Sequence, residues 1–315
     1  MVKLIRQPGL YRELVSEMAY HSDPVATPSL SSGVAKILLE KTPRHAWMAH
    51  PRLNPNYVAE TKPAFDLGSA AHTLMLQSGA AIEVIDAADY RTKAAKDARD
   101  EAHANFKTPI LVGKMLEVVE MVNAGREQMA GLADPIDRAA FSPGTGRPEQ
   151  TMVWQEGDVW CRARLDWEPD DRNAFHDYKT TGQSAQPEAW AKTLYNVGGD
   201  VQAGFYRRGI RAVLGVEVPE WRYIVQETKA PYALSVVALS AGALDMAERK
   251  AKAAIKLWSR CMAEGKWPGY PSEVYYVDPP AYEEVRWCAR EEQEKAAHDA
   301  GIDMFKRALD WQAPL

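Results

Sequence analysis

The sequence has few cysteines, no long apolar run and no excess of positive charge. Its three cysteines, among 315 residues, are odd in number and widely spaced, which argues against a disulfide framework and indicates a reducing compartment. No stretch approaches the roughly 18 apolar residues of a membrane helix, and the first residues carry charge without an apolar core. We therefore expect neither a signal peptide nor a membrane span, and predict a cytoplasmic protein.

The net charge of the chain is unlike that of a typical general DNA-coating protein. The formal net charge is −5, so affinity for phosphate would have to come from a local basic patch. With 46% hydrophobic and 26% charged residues, the chain falls in the ordinary globular class. Two stretches are basic, and the second could simply face water: Arg207, Arg208 and Arg211, and the stripe Arg249, Lys252, Lys256 and Arg260. The sequence has no HExxH motif, no CxxC motif and no convincing Ser/His/Asp order, so hydrolysis without metal has no support.

Two aspartates and a lysine form the most informative group. Val159–Trp167 alternates apolar and polar residues, a turn-forming run follows, and Ala174–Thr181 is a second extended segment, which together predict a hairpin. Asp166 belongs to the first strand, and Asp177 and Lys179 belong to the second. Because residues two apart in a strand share a face, the lysine and a carboxylate should occupy one site.

This trio has the chemistry of a site that binds Mg²⁺ and cuts phosphodiesters. Mg²⁺ prefers oxygen ligands and keeps several waters, so one or two carboxylates and a substrate phosphate can complete its coordination. A nearby ammonium can orient water and stabilise the charge of the reacting phosphate. The alternative is a surface hairpin on which Asp166, Asp177 and Lys179 have no joint function.

Two predicted helices carry further polar pairs. A helix over Pro187–Leu214 places Gln202 and Tyr206 on one face, four residues apart. An upstream amphipathic helix contains Gly68 and His72 at the same spacing, where the small residue lets another backbone approach and the histidine can bind a metal. Each pair could instead be structural, as a core histidine or as packing between helices.

In this order the motifs resemble the PD-(D/E)XK nuclease superfamily, and within it the RecB-type and RecE-type exonucleases of recombination systems and phages, including the exonuclease VIII and lambda exonuclease kinds. The resemblance covers roughly residues 20 to 270. The matching motifs are Gly68-x-x-x-His72, Glu149, Asp166, Asp177-x-Lys179 and Gln202-x-x-x-Tyr206. The family often has Glu where Asp177 stands, and Glu149 could also be a solvated carboxylate at the start of a strand.

The resemblance implies a role for each of these positions. It implies Asp166, Asp177, Lys179 and Glu149 as catalytic residues. It implies metal ligation by His72, Asp166, Asp177 and the carbonyl of Tyr178, and DNA contacts by Gln202 and Tyr206, with the neighbouring Arg207 and Arg208. The expected ion is Mg²⁺, for which Mn²⁺ would substitute. Some relatives hold an iron–sulfur cluster with four cysteines, and three cannot supply that ligation, so no cluster is expected.

The expected fold is α/β, with a restriction-endonuclease-like core in which helices flank a central mixed sheet. Residues 1–135 would form a helical N-terminal part, 136–270 the nuclease core and 271–315 a C-terminal helical tail of a single compact domain. The predicted strands of the core are 151–155, 159–167, 174–181, 221–228 and 233–239.

The resemblance further implies a Mg²⁺-dependent 5′ to 3′ exodeoxyribonuclease. It would act on double-stranded DNA ends and leave 3′ single-stranded tails for phage-type homologous recombination. Relatives of this kind form rings, so we expect a trimer or tetramer, and a single-strand annealing protein is the expected partner. Two alternatives stay open: a structure-specific or end-trimming endonuclease of the same fold, and a non-catalytic module that binds DNA ends.

Overall fold

The computed structural model describes residues 4–11, 16–58 and 63–302. The strands in these residues are β1 (Gly9–Tyr11), β2 (Ile82–Ile85), β3 (Thr108–Leu111), β4 (Gly146–Glu156), β5 (Val159–Pro169), β6 (Ala174–Thr181), β7 (Glu220–Glu227) and β8 (Leu234–Ala238). The helices are α1 (Glu17–His21), α2 (Ser32–Glu40), α3 (Pro43–Met48), α4 (Pro63–Leu76), α5 (Lys93–Ala104), α6 (Val112–Ala130), α7 (Pro135–Ala139), α8 (Pro187–Val197), α9 (Gly199–Leu214), α10 (Ala241–Glu264) and α11 (Ala281–Asp299).

The described strands form three sheets. β1, β4 and β5 make an antiparallel sheet in that order. β6, β7 and β8 make a mixed sheet, in which β7 runs parallel to β6 and antiparallel to β8. β2 and β3, which the sequence did not predict, form a small parallel pair. The long β4–β5 hairpin turns at Gly157, whose φ of +59° is a conformation that glycine adopts without steric cost.

The hairpin predicted from β5 and β6 is wrong, because each strand pairs with another partner. β5 pairs with β4, and β6 pairs with β7, although β5 and β6 lie close to each other. Between them the carboxylate of Asp166 accepts a hydrogen bond of 2.9 Å from the backbone N–H of Tyr178. In a continuous β-ladder this N–H would donate to a backbone carbonyl, whereas here it donates to a side chain. The two sheets meet at this aspartate.

Helices cover both faces of the mixed sheet. On one face Phe175 and Tyr223 pack into a core cluster with residues of α2, α8, α9 and α10. On the other face Tyr178 and Ile224 pack with residues of α4 and α6. Because neighbouring residues of a strand point to opposite faces, a sheet covered on both sides needs apolar residues at consecutive positions. The predicted arrangement of helices around a mixed sheet is confirmed.

The single helix predicted over 187–214 is two helices. Gly198 has a φ of +77° and separates α8 from α9. Within α9, Gly204 lies so near α10 that a Cβ would be 2.3 Å from the carbonyl oxygen of Ala247, which no larger residue could tolerate. The turn and this close contact set the direction of α9, the helix that carries Gln202.

The chain divides into two compact units, Met1–Gly269 and Tyr270–Leu315. The second unit contains α11, where Arg290 and Glu294 form an ion pair one turn apart. Within the predicted helical tail, 271–315, the helix ends at Asp299, and residues 303–315 lie outside the described residues. The predicted boundary at residue 135 stays a prediction. Over the described ranges, none of the helices has both the length and the apolar character needed to cross a membrane.

Candidate active site

A cavity of about 600 Å³ lies where α1, α4 and α9 meet strands β4, β5 and β6. Most of the site residues predicted from the sequence line this cavity. They are His72, Glu149, Asp166, Asp177, Tyr178, Lys179, Gln202 and Tyr206. Arg207 and Arg208 do not line it. Residues from six elements, separated by more than a hundred positions in the chain, therefore converge on one space.

Asp166 lies near the end of β5 and is held by two donors. Its Oδ2 accepts the Tyr178 N–H and lies 3.1 Å from Nε2 of His72. Burial alone would raise the pKa of this carboxyl, but the positive charges of His72 and Lys179 and the two hydrogen bonds keep the pKa below its usual value of 3.8. Asp166 is therefore an anion at neutral pH.

Asp177 and Lys179 extend from the same face of β6. Nε2 of Gln202 donates to Oδ1 of Asp177 at 2.6 Å, and Nζ of Lys179 contacts Oδ2. Burial, followed by the negative charge of Asp166, raises the pKa of Asp177 to about 6. Burial would lower the pKa of Lys179, but the two carboxylates raise it above its usual value. The site thus combines two carboxylates, each disfavouring the other's charge, with a protonated amine.

His72 reaches the carboxylates from α4. One turn earlier, a Cβ on Gly68 would lie 3.3 Å from Oγ1 of Thr180 on β6, so the glycine allows the helix to approach the strand. Nδ1 of His72 is 3.3 Å from Oε1 of Glu149, while Nε2 faces Asp166. Burial would lower the pKa of His72, but the charges of Asp166 and Glu149 raise it to about 9.

Glu149 has an unusual backbone in the middle of β4. Its φ is +59°, in the left-handed region that residues other than glycine rarely adopt. The neighbours of Glu149 pair with the neighbours of Asp166, but the ladder is interrupted where these two residues face each other. The distortion directs the Glu149 carboxylate into the cavity, where it contacts His72. Backbone strain of this kind concentrates at functional sites.

Gln202 and Tyr206 lie one turn apart on the face of α9 that borders the cavity. The Tyr206 ring is buried and packs edge-on against Trp221, with 5.0 Å between ring centroids. Burial raises the pKa of the Tyr206 hydroxyl well above its usual value, so it stays protonated. Gln202 orients Asp177 directly. Contacts of either side chain with DNA stay a prediction.

Arg207 and Arg208 are committed to partners within the protein. Nε of Arg207 donates to the carbonyl of Pro219 at 2.8 Å. Arg208 forms an ion pair with Glu156 through two guanidinium nitrogens and lies 3.5 Å from Glu248. These side chains link α9 to β4 and α10, and the structure does not bring them to the cavity. We leave them out of the proposed site.

The sequence analysis missed Arg164 as a residue of the cavity. It lies on β5 and contacts Glu149 through Nε, with its guanidinium 5.9 Å from the ring centroid of Tyr20. Both Arg164 and Tyr20 line the cavity. The alternation of side chains along β5 could have predicted this position of Arg164, because a residue two positions before Asp166 extends from the same face of the strand.

The donors in the cavity fit a divalent ion held by two carboxylates. Among the described residues there is no cluster of three or more His, Cys, Asp or Glu arranged around one point. Mg²⁺ does not require such a cluster, because waters and substrate phosphate complete its coordination. Burial and then the charge of Asp166 raise the pKa of Asp177, and a cation beside both carboxylates would relieve their repulsion. Ligation by His72 and by the Tyr178 carbonyl stays a prediction.

Comparisons with known proteins agree with this geometry. The family model for a PDDEXK-like domain of unknown function, DUF3799, matches residues 35–280. The crystal structure of a provisionally named exonuclease from Eubacterium rectale covers 82% of this chain and 92% of its own, with a TM-score of 0.50 and 10% identity. No curated protein matches the sequence. At that identity the second match shows the fold alone. The predicted superfamily and fold class are confirmed, and the RecE-type subdivision stays a prediction.

Proposed function

The chain belongs to the PDDEXK-like family, and from that premise we propose that it is a metal-dependent nuclease that hydrolyses phosphodiester bonds of DNA. The observation that carries the proposal is the placement of Asp166, Asp177 and Lys179 in one cavity. A surface hairpin would leave these side chains in solvent, whereas the side chain of Asp177 is only 1% exposed and bonds Gln202 and Lys179.

The side chains of the cavity have separate roles in the proposed reaction. Asp166 and Asp177 would hold a divalent ion, Mg²⁺ or Mn²⁺, which supplies positive charge beside the phosphate and lowers the pKa of the attacking water. Lys179, which the carboxylates keep protonated, would stabilise the negative charge that develops on the phosphate oxygens. Gln202 keeps the Asp177 carboxylate in one orientation. His72 is proposed as a further ligand from α4.

We extend the proposal to the ends of double-stranded DNA, degraded from 5′ to 3′ to leave single-stranded 3′ tails. Support for this part comes from the motif resemblance to recombination exonucleases and from the exonuclease name of the structural neighbour. From the motif resemblance alone we propose a homo-oligomeric ring of three or four chains, a single-strand annealing protein as partner, and a role in phage-type recombination. The few, widely spaced cysteines support the proposal that it works in the cytoplasm.

The deciding experiment uses linear duplex labelled at either the 5′ or the 3′ end, with and without a 5′-phosphate, in Mg²⁺. We expect early release of the 5′ label, growing 3′ tails and no cleavage of covalently closed circles. Lys179→Ala is the matched inactive control. Cleavage of closed circles would favour an endonuclease of the same fold. Binding of ends without cleavage in Mg²⁺ or Mn²⁺ would favour a non-catalytic module.

A further inference from the structure

Arg164 has a hydrogen-bond donor that none of the described residues engages. Its side chain is 13% exposed and lines the cavity, and its Nε contacts Glu149. Its Nη1 is buried and has no hydrogen-bond partner among the described residues. A buried donor without a partner is costly, and in a native protein such a group often has a functional role.

The neighbouring arginine on the same strand face shows the contrast. Nη1 of Arg162 donates to the carbonyl of Ser29 at 2.6 Å and to its hydroxyl at 2.8 Å, and it lies 3.3 Å from Asp23. Nε of Arg162 is buried without a partner among the described residues, so the contrast with Arg164 concerns Nη1. That guanidinium serves the fold. Arg164, two residues further along β5, instead borders a solvent-accessible space.

The other cations of the cavity already face carboxylates. Lys179 contacts Asp177, and His72 lies between Asp166 and Glu149. Arg164 also has a carboxylate partner, but a planar guanidinium presents five donors in a fixed fork and a single carboxylate cannot engage all of them. The remaining donors suit a phosphate, which arginine binds through two parallel hydrogen bonds.

We propose that Arg164 binds a phosphate of the DNA strand next to the phosphate that is cut, an inference that rests on the proposed nuclease function. Arg164 and Asp166 are two residues apart on one face, about 6.6 Å along the strand. That separation is comparable with the distance between neighbouring phosphates of an extended strand. Glu149, directed inward by its strained backbone, holds the guanidinium in position before DNA binds.

The test is a thermodynamic cycle between one side chain and one phosphate. The probe is a duplex with a short single-stranded end, in which neutral methylphosphonate linkages replace the phosphates one at a time. Binding is measured without metal in an Asp177→Asn background, so that the strand is not cut. We expect one linkage, beside the cleavage position, to weaken binding about tenfold or more. When Arg164→Gln is added to the same background, replacing the phosphate at that linkage should not weaken binding further.

Two further variants keep the result interpretable. Arg172 lies on the turn after β5, pairs with Glu168 and does not line the cavity. In Arg172→Gln, neutralising the same phosphate should therefore still weaken binding. Arg164→Lys keeps the positive charge but not the paired N–H donors of the guanidinium. In this variant, neutralising the same phosphate should weaken binding, but less than it does with Arg164. This variant replaces the Gln variant in the cycle if thermal melting shows that Arg164→Gln does not fold.

The outcomes separate this inference from the proposed function. If the methylphosphonate scan is the same with and without the Arg164 guanidinium, Arg164 does not bind a phosphate, and the nuclease proposal is untouched. If the protein with Arg164 binds no DNA at all, both proposals fail together. A loss confined to one linkage, and abolished only by changing Arg164, supports the assignment.

Discussion

Two groups of charged side chains in this protein use the same residue types in different surroundings. In the first, Asp23 is buried with His50 and Arg162, whose nitrogens lie 3.4 and 3.3 Å from its oxygens. Ser29 donates to it through both the backbone N–H, at 2.8 Å, and the hydroxyl, at 2.6 Å. This group joins the N-terminal segment to β5. The second group, around Asp177, borders the cavity.

The pKa shifts of the two aspartates have opposite signs. Burial would raise the pKa of Asp23, but His50, Arg162 and Ser29 outweigh it and keep the pKa below 3.8. Burial and the charge of Asp166 raise the pKa of Asp177 to about 6. A carboxylate with enough donors therefore stabilises the fold, whereas one beside a second carboxylate carries a cost that a bound cation can relieve.

The largest expected effect is the loss of cleavage when either cavity carboxylate is neutralised. Asp166→Asn and Asp177→Asn should each slow single-turnover cleavage at least 10²-fold, because the negative charge that holds the metal is halved and the metal stabilises the reacting phosphate. Calorimetric Mg²⁺ or Mn²⁺ binding should weaken in parallel. Asp245→Asn, on the exposed surface of α10, is the control and should behave as wild type. Unchanged metal binding in both cavity variants would remove the assignment.

Next in size is a difference in stability between the two aspartates. Asp23→Asn should destabilise the protein by about 3–5 kcal/mol, because it leaves Arg162 buried without its counter-charge. Asp177→Asn, measured in EDTA, should leave the free energy of unfolding unchanged or raise it. Urea unfolding of both variants at neutral pH makes the comparison. An equal loss in the two variants would show that the cavity aspartate also serves the fold.

The pH dependence of stability should differ in the same way. Folding lowers the pKa of Asp23, so its contribution is complete above pH 3.8 and is lost as the pH falls through the lower folded value. Folding raises the pKa of Asp177 to about 6, so its contribution declines as the pH rises from 3.8 towards 6. In EDTA, the melting temperature of Asp177→Asn should therefore increase relative to that of the wild type as the pH rises from 3.8 towards 6. A constant difference would contradict the raised pKa.

The smallest expected effect concerns the orientation of Asp177. Gln202→Ala removes the 2.6 Å hydrogen bond to Oδ1, worth about 1 kcal/mol, and should slow cleavage several-fold without abolishing it. Gln186→Ala, an exposed residue before α8, provides the control. Wild-type rates for Gln202→Ala would mean that β6 alone positions the carboxylate.

Sequence patterns predicted the chemistry of the site better than the pairing of its strands. The alternation around Asp166 and the Asp177-x-Lys179 spacing are local, so both strands and their shared faces could be predicted. Which strands pair depends on long-range contacts, and β5 and β6 join different sheets. The turn at Gly198 had a visible signal, a glycine pair inside a helical pattern, that the helix prediction passed over.

The left-handed backbone of Glu149 has no local signal, because glutamate does not favour that conformation. The positions of Arg207 and Arg208 were also beyond a local pattern. A basic run on a helix shows charge, but the carboxylates that pair with it come from β4 and α10. Only the tertiary structure shows that Arg207 and Arg208 lie away from the cavity, whereas Arg164 borders it.

The most direct test of the active-site assignment compares cleavage with binding in Lys179 variants. Lys179→Ala should cut linear duplex at least a hundredfold more slowly in single-turnover reactions, because the ammonium beside the phosphate is lost. Binding to DNA ends at matched salt should change far less, since affinity is spread over many phosphates. Lys179→Arg should not restore the rate, because a planar guanidinium fits the site poorly. Cleavage by Lys179→Ala at the wild-type rate would contradict the assignment.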